Sequence, residues 1–480
     1  MTLLQTGTVV DGFEVGELLH GGGMAHIYAV RYANGRPDPG FPMAMKVPRM
    51  AGGDGAENIV SFEVEHQMLQ AIEGPHVPRF VAAGDMERLP YLVMERVPGQ
   101  SLQHLIDARR EARGLFTPEE IARLGHAMAH AAHSLHKQNA VHLDLKPGNV
   151  MIKPDGQAVL LDFGLSWHAH HPDLLAEELR LAVGSPAWIA PEQVVGIRGD
   201  PRSDIFAIGV MLYELATGEL PFGAPETAGG LRQRLWMDPP PPRKLRADLP
   251  PWLQQVILRC LQAEAGQRYP SAAHLAFDLA HPEQVSVGED GLRTTGTPWF
   301  THLRRWIKAA GMHYQPSPLP SSRLDEVPIV MVAVPHHDVT DTTLYSLRRA
   351  VARSLGIRPG ARLACVTVID PVTEVSGPAS ETQQHRQHLE RLRRWAAGLD
   401  LQGHQASFHV LESGDVAAAL LAYARGNNVS LLVLGSATHG LAMQRLVATV
   451  PVKVAMNAPC SVLLVKQDEP FEQLAQQAAN

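Results

Sequence analysis

Cysteine is nearly absent: Cys260, Cys365 and Cys460 are the only three in 480 residues, odd in number and far apart. They spell neither a disulfide framework nor a C-x-x-C metal motif. Long apolar runs are missing too. The best, Ile205 to Tyr213, is closed by Asp204 and Glu214, far short of the roughly 20 residues that cross a bilayer. There is no excess of positive charge. Lys plus Arg is 42 against 49 for Asp plus Glu, a formal net charge of −7, so nonspecific nucleic-acid binding finds no support. The opening MTLLQTGTVVDGFEVG has no basic region ahead of an apolar stretch, so no secretory leader is expected there. Together these absences lead us to expect a soluble, cytoplasmic chain with no transmembrane segment and no nucleic-acid partner. What is present fits globular protein: 45% hydrophobic and 19% charged residues suffice for packed cores. At roughly 150 residues per domain, the length suggests about three units.

The rhythm of the chain changes along its length. Residues 10 to 100 alternate short β-like runs (FEVGELL, HIYAVRY, MAMKV, YLVMERV) with Gly and Pro turns, and one helical segment near 57–72 interrupts them. Residues 101 to 280 are mostly helical by apolar spacing, as in ARLGHAMAHAAHSLH and SDIFAIGVMLYELATG. The pattern predicts two lobes with a cleft between them. Residues 282–326 are turn-rich and read as linker around a short amphipathic helix at 299–310, where Trp299, Leu303, Trp306, Ile307 and Ala310 share helical spacing. From 327 to 468 strand-like runs (PIVMVAV, ARLACVTVI, ASFHVLE, SLLVLG, CSVLLVK) alternate with helical stretches. That alternation predicts a doubly wound parallel α/β sheet. Residues 469–480 form a tail.

Five motifs stand in order within the first half. They are HGGGMAHIY at 20–28, MAMK ending at Lys46, VHLDLKPGNV with His142, Asp144, Lys146 and Asn149, LLDFGLS with Asp162, Phe163 and Gly164, and AWIAPEQ with Ala190, Pro191 and Glu192. This signature set resembles the protein kinases, and residues 10–281 are identified as similar to the bacterial, eukaryotic-like Ser/Thr members. The resemblance implies a bilobal α+β kinase fold, with the N-lobe over about 10–97 and the C-lobe over about 98–281.

It also implies a phosphoryl-transfer site, where positioning and charge neutralisation matter more than covalent help. Gly22 and Gly23 would let the loop backbone approach the phosphates of ATP. Ile27 and Ala44 would line the adenine pocket, and Lys46 would reach the α and β phosphates. Asn149 and Asp162 offer hard oxygen ligands for Mg²⁺, or Mn²⁺ in its place. Asp144 would orient the attacking hydroxyl, and Lys146 resembles the γ-phosphate lysine of Ser/Thr-directed members. Met94 would be the gatekeeper, and the backbone of Glu95 and Val97 the hinge. Lys46 needs an acidic partner, and Glu63 and Glu65 are the candidates. Phe62, Glu65 and Leu69 share a helix face at i, i+3 and i+7, so Glu65 is chosen and Glu63 is left to solvent. Asp204 resembles the helix Asp that braces the catalytic loop, and Arg268 the arginine that pairs with Glu192.

Three departures stand out. His20 occupies the place of the first loop glycine. Leu143 stands where the family usually has the Arg that meets a phosphorylated activation loop. Between Gly164 and Pro191 the only hydroxyl residues are Ser166 and Ser185. Receptor and phosphate site are missing together, so activity without activation-loop phosphorylation is expected; Glu177 and Glu178 are candidates for holding the loop.

The C-terminal part resembles a universal stress protein domain. Nucleotide-binding members carry glycines after the fourth strand in a G-x2-G-x9-G-[ST] pattern. Here Gly435 is present, but Thr438 and Ala448 replace the next two, followed by Thr449, and Pro335 and His336 stand where an Asp would follow the first strand. We therefore expect no ATP there, and a homodimer through the last strand, Ser461 to Lys466, instead. The histidines at 168–171 and 336–337 carry no ligand spacing for a structural metal. The resulting expectation is a Ser/Thr protein kinase acting on protein hydroxyls, with a stress-type domain for regulation or dimerisation. The rival is a weak pseudokinase scaffold.

Overall fold

A computed structural model of the chain describes residues 4–22, 25–33, 35–37, 39–49, 55–85, 89–169, 171, 175, 185–225, 227–296, 329–335, 340–356, 361–370, 377–401, 404–427, 429–435 and 450–466. The chain divides into two units, Met1–Ser321 and Ser322–Asn480.

The first unit opens with strands β1 (Val9–Val10), β2 (Phe13–Gly21), β3 (Ala25–Tyr32), β4 (Met43–Pro48), β5 (Phe80–Ala83) and β6 (Leu92–Glu95), with helix α1 (Gly55–Ala71) between β4 and β5. They form an antiparallel sheet in the order β1-β2-β3-β4-β6-β5. Alternation sorts the two faces. Tyr28, Val30, Met43, Met45, Val47 and Val93 pack with Phe13, Val15 and Tyr91 in one apolar layer. The register pairs Ile27 with Lys46, Ala29 with Ala44, and Ala44 with Met94, so these side chains share the opposite face. That face looks toward α1 and the helical lobe.

The helical lobe starts at β7 (Gln100–Ser101) and α2 (Leu102–Glu111), capped by Ser101, whose Oγ accepts from His104 N–H at 3.2 Å. Helix α3 (Pro118–His136) opens with a reciprocal cap: Thr117 Oγ1 accepts from Glu120 N–H, and Glu120 Oε2 accepts from Thr117 N–H. The helix Arg202–Thr217 is buried along nearly its whole length, which explains why its sequence is apolar all round. It packs on α3 at Gly125, where a β-carbon would lie 2.6 Å from Leu212 Cδ2. Strands β8 (Ala140–Val141), β9 (Val150–Ile152), β10 (Ala158–Leu160) and β11 (Trp167–His168) flank the loops that carry polar chemistry. The segment after Pro282, placed in a linker by composition, is held to the lobe as far as Arg293. Gln254 Nε2 donates to the carbonyls of Asp290, Gly291 and Arg293, and Gln255 Oε1 accepts from Gly288 and Gly291 N–H. These are backbone contacts, which turn-rich composition does not reveal. The helix expected at 299–310 lies outside the described residues.

The second unit is the expected doubly wound sheet. Strands β12 (Ile329–Ala333), β13 (Arg362–Ile369), β14 (Gln405–Glu412), β15 (Val429–Gly435) and β16 (Ser461–Val465) are all parallel, in the order β14-β13-β12-β15-β16. Helices Asp341–Gly356, Gly377–Ala396, Val416–Gly426 and Val450–Asn457 connect them. The central strand β12 is a continuous apolar run and its neighbour β13 is buried throughout, because both faces are covered. Strand β16 is an edge. Among the described residues no helix is long and apolar enough to cross a membrane.

Candidate active site

The site forms where the sheet face of β4 meets the loops of the helical lobe. Lys46 reaches across: its Nζ donates to Glu65 Oε2 at 2.5 Å and to Asp162 Oδ1 at 2.8 Å. Glu65 is buried on α1 with Phe62 and Leu69, while Glu63 is exposed. Burial draws Lys46 toward its neutral form, but the Asp162 and Glu65 carboxylates outweigh it and hold the ammonium charged, above its ordinary value. The Lys46 charge brings Asp162 down to about 2 against the opposing effect of burial. Burial raises Glu65, which Lys46 offsets only in part. One cation thus holds two carboxylates of unequal character. The buried Glu65 positions Lys46; Asp162, with 40% of its side chain exposed, faces the cleft.

Asp162 sits in the left-handed region at φ 64°, and Gly164 follows it against α1. A β-carbon on Gly164 would lie 2.2 Å from Ser61 Oγ and 3.2 Å from the Ser61 carbonyl oxygen. This close approach explains the glycine. It lets α1 come near enough for Glu65 to reach Lys46.

The loop from His142 to Asn149 is organised by Asp204 at the start of the helix Arg202–Thr217. Its Oδ2 accepts from His142 N–H at 2.9 Å and its Oδ1 from Leu143 N–H at 2.9 Å. His136, at the end of α3, donates through Nε2 to Oδ2 at 2.8 Å. Burial pushes this carboxyl up, yet the His136 hydrogen bond and the other donors hold it below its ordinary value. His142 donates from Nε2 to the Leu161 carbonyl, leaving Nδ1 to accept from Asp144 N–H. The ring therefore ties the Asp144 loop to the strand that leads into Asp162. Leu143 is buried at φ 64°, and its carbonyl accepts from Gln193 Nε2.

Asp144 is buried and anchored on three sides. Lys146 Nζ donates to its Oδ2 at 2.9 Å, Asn149 Nδ2 donates to Oδ2 at 3.1 Å and to the Asp144 carbonyl, and Ser185 N–H donates to Oδ1 at 2.9 Å. Lys146 also donates to Ser185 Oγ at 2.9 Å. Because Asn149 spends its Nδ2 inside the loop, its Oδ1 is the atom left for a cation. With the free oxygen of Asp162 this makes a set of hard oxygen donors that fits Mg²⁺ or Mn²⁺.

Around the rim, Ile27, Ala44 and Met94 share the sheet face of Lys46. Glu95 N–H donates to the Arg79 carbonyl and Arg96 N–H to the Pro42 carbonyl, which leads the chain into the Val97 turn. In the loop between β2 and β3, Gly22 N–H donates to the Ala25 carbonyl and Arg49 donates to the Gly22 carbonyl. Gly23 lies outside the described residues. His20 is exposed, and its ring folds over Gly22: a β-carbon there would meet His20 Nε2 at 3.2 Å.

Four contributors carried no mark in the sequence: His136, Gln193, Arg198 and Arg234. Arg198 donates to the carbonyls of Leu165 and Ser166, and Arg234 to those of Pro186, Ile189 and Leu231. Burial alone lowers Arg234 to about 10. Arg268 and Glu192 form the expected pair, which the structure shows to be buried and bidentate at 2.7 and 2.8 Å, with Ser203 Oγ also donating to Glu192. Glu177, Glu178, His336, Thr438, Ala448 and Thr449 lie outside the described residues.

Residues 14–278, more than half of the chain, match the family model described as protein kinase domain. Residues 329–466 match that of the universal stress protein family. Among curated proteins, the chain is 29% identical over 295 residues to the serine/threonine-protein kinase PknB of Mycolicibacterium smegmatis, covering 59% of this chain and 46% of the relative. It is 29% identical over 282 residues to a probable serine/threonine-protein kinase of Corynebacterium efficiens, covering 57% and 42%. A third relative, a probable serine/threonine-protein kinase of Clostridium acetobutylicum, is 29% identical over 248 residues, covering 52% and 37%. The chain spans less than half the length of these relatives.

Proposed function

The chain belongs to the protein kinase domain family, with a universal stress protein domain behind it, and from that premise we propose that it transfers the γ-phosphoryl group of ATP to Ser or Thr hydroxyls of protein substrates. The observation that carries this reading is the gathering of Lys46, Asp144, Asn149 and Asp162 from two lobes, with Lys46 bonded to Asp162 and Asn149 bonded to Asp144. A cleft-facing Asp162 and a buried Glu65 sharing the Lys46 ammonium form the kind of perturbed charge cluster that gathers at functional sites.

In this reading Asp144 orients the acceptor hydroxyl and takes its proton through the carboxylate, whose place is fixed by Ser185 N–H and Asn149. Lys146, now bonded to Asp144 and Ser185, offers its ammonium to the transferring phosphoryl group. Lys46 holds the upstream phosphates while Glu65 keeps it extended. A divalent cation held by Asn149 and Asp162 would supply the charge that draws electron density from the leaving oxygen. Ile27, Ala44 and Met94 form an apolar wall for the purine. The Glu95 N–H is taken by Arg79, so of that residue the carbonyl remains for the purine edge, together with the Val97 backbone. Gly22 and Gly23 carry no side chain in the way of the phosphates, the Gly22 N–H itself being taken by the Ala25 carbonyl.

Leu143 cannot read a loop phosphate, so we place the enzyme among those that act without activation-loop phosphorylation. Dimerisation through β16 and a cytoplasmic setting complete the proposal. The exposed apolar edge supports the first, and three free thiols fit the second. Labelled Mg-ATP, with the parent and Asp144→Asn compared on the same acceptor, tests the reading. A loss of at least about a hundredfold is expected on removing this group. Equal labelling by both proteins sinks the enzyme and leaves a scaffold.

A further inference from the structure

The segment between Asp162 and Pro191 is held at both ends by arginines that come from outside it. At its start, Arg198 Nη2 donates to the carbonyl of Leu165 at 2.8 Å and of Ser166 at 3.4 Å. At its end, Arg234 is 1% exposed. Its Nη1 donates to the Ile189 carbonyl at 2.5 Å, its Nη2 to Pro186 at 2.9 Å and its Nε to Leu231 at 3.1 Å. The Phe222 ring lies 5.6 Å from its guanidinium carbon. No carboxylate faces Arg234 among the described residues, so backbone carbonyls supply its hydrogen-bonded solvation.

A buried cation binds its partners reciprocally. If residues 186–189 moved away, a guanidinium would be left buried with one carbonyl, which is strongly unfavourable. The loop that flanks Ser185, and through Ser185 N–H the carboxylate of Asp144, is therefore tied to a charge that no phosphate has to supply. The planar fork of Arg suits two carbonyls at once; the single ammonium of Lys does not. At position 143 the side chain is a buried leucine, which offers no charge at all.

We propose that Arg198 and Arg234 form a phosphate-independent clamp that fixes both ends of this segment, making them positioning residues for the protein acceptor. The proposal rests on the phosphotransfer reading above and deepens it into a mode of regulation.

The test uses the full chain, treated with a broad-specificity phosphatase and shown by mass spectrometry to carry no phosphate, with casein as acceptor. The parent is expected to keep its activity within about twofold of untreated protein. Arg234→Gln is expected to raise the KM for casein about tenfold with the ATP Kd within about twofold of the parent, and Arg198→Gln to lower kcat about tenfold. Arg234→Lys should fall between. Hydrogen exchange at residues 164–168 and 185–190 reads the clamp without activity, and about tenfold faster exchange is expected in the Gln variants. A dephosphorylated parent that regains activity only on loop phosphorylation overturns the clamp. So do Gln variants that match the parent in both kinetics and exchange. If Arg234→Gln loses its cooperative melting transition, Arg234→Lys and Arg198→Gln decide. A parent that transfers no phosphate while exchange responds as expected removes the enzyme reading and leaves the clamp standing.

Discussion

Lys46 is the residue on which the site turns. It is the only cation that bonds both Glu65 and Asp162 among the described residues. Lys46→Met would leave two carboxylates facing each other, so Asp162 should lose its depressed pKa and rise toward the ordinary range. Phosphotransfer should fall by at least about a hundredfold, the scale of losing one preformed charge at a reacting phosphate. Titration of Asp162 by carbon-13 NMR checks the first expectation and a label-transfer assay the second. The same pair sets an acid limit. The folded-state value of Asp162 lies at about 2, below its unfolded value. Its contribution to stability is therefore complete above the unfolded pKa and is lost as pH falls through about 2. Urea melts between pH 5 and 2 should show that loss in the parent and a shallower one in Asp162→Asn.

Glu65 was legible at this scale because burial follows helical period: Phe62, Glu65 and Leu69 are buried and Glu63 is exposed. Arg198 and Arg234 were not legible. Their partners are backbone carbonyls, which every residue owns, so no residue type marks the other end of the bond. His136 escaped for a related reason. At the end of an apolar helix, a histidine aimed at a buried carboxylate has the same spacing as one packed in a core.

Between elements, the approach of α1 to the loop after Asp162 depends on one missing side chain. Gly164→Ala would drive a β-carbon to 2.2 Å from Ser61 Oγ and 3.2 Å from the Ser61 carbonyl oxygen, so the hydroxyl must turn away and α1 must give ground slightly, loosening Glu65 from Lys46. Activity should drop at least about tenfold with little change in melting temperature, and Ser61→Ala should restore part of it, because the nearest obstacle is then gone. No rescue would mean that α1 position is not what the glycine protects. The brace at Asp204 works differently. Its carboxylate is completely buried and accepts from His136, His142 and Leu143. Asp204→Ala leaves three donors stranded, and a loss of about 3 kcal/mol or more is expected in chemical denaturation, with phosphotransfer lost at the same time.

For the whole molecule, the alternation of strand and helix was enough to read the parallel sheet of the second unit, because crossover connections force that topology. Strand order along that sheet was not readable, since the apolar runs of β12, β13 and β15 look alike. The exposed edge has a physical consequence. Leu463 and Leu464 on β16 are 38% and 40% exposed. Edge strands of this kind invite pairing. Light scattering on the parent should give a dimer, and Leu464→Lys should give a monomer with kinase kinetics per chain readable in both. A monomeric parent would assign the edge another cover.

The most direct measurement is a double-mutant comparison of γ-phosphate transfer by the full chain with Asp144→Asn, Asp162→Asn and both together. Groups that serve one transition state are not additive. Each single variant should lose nearly all transfer, and the double should be no slower than the worse single. Phosphate transfer that survives both substitutions at the parental rate would contradict a shared phosphoryl-transfer centre between the lobes.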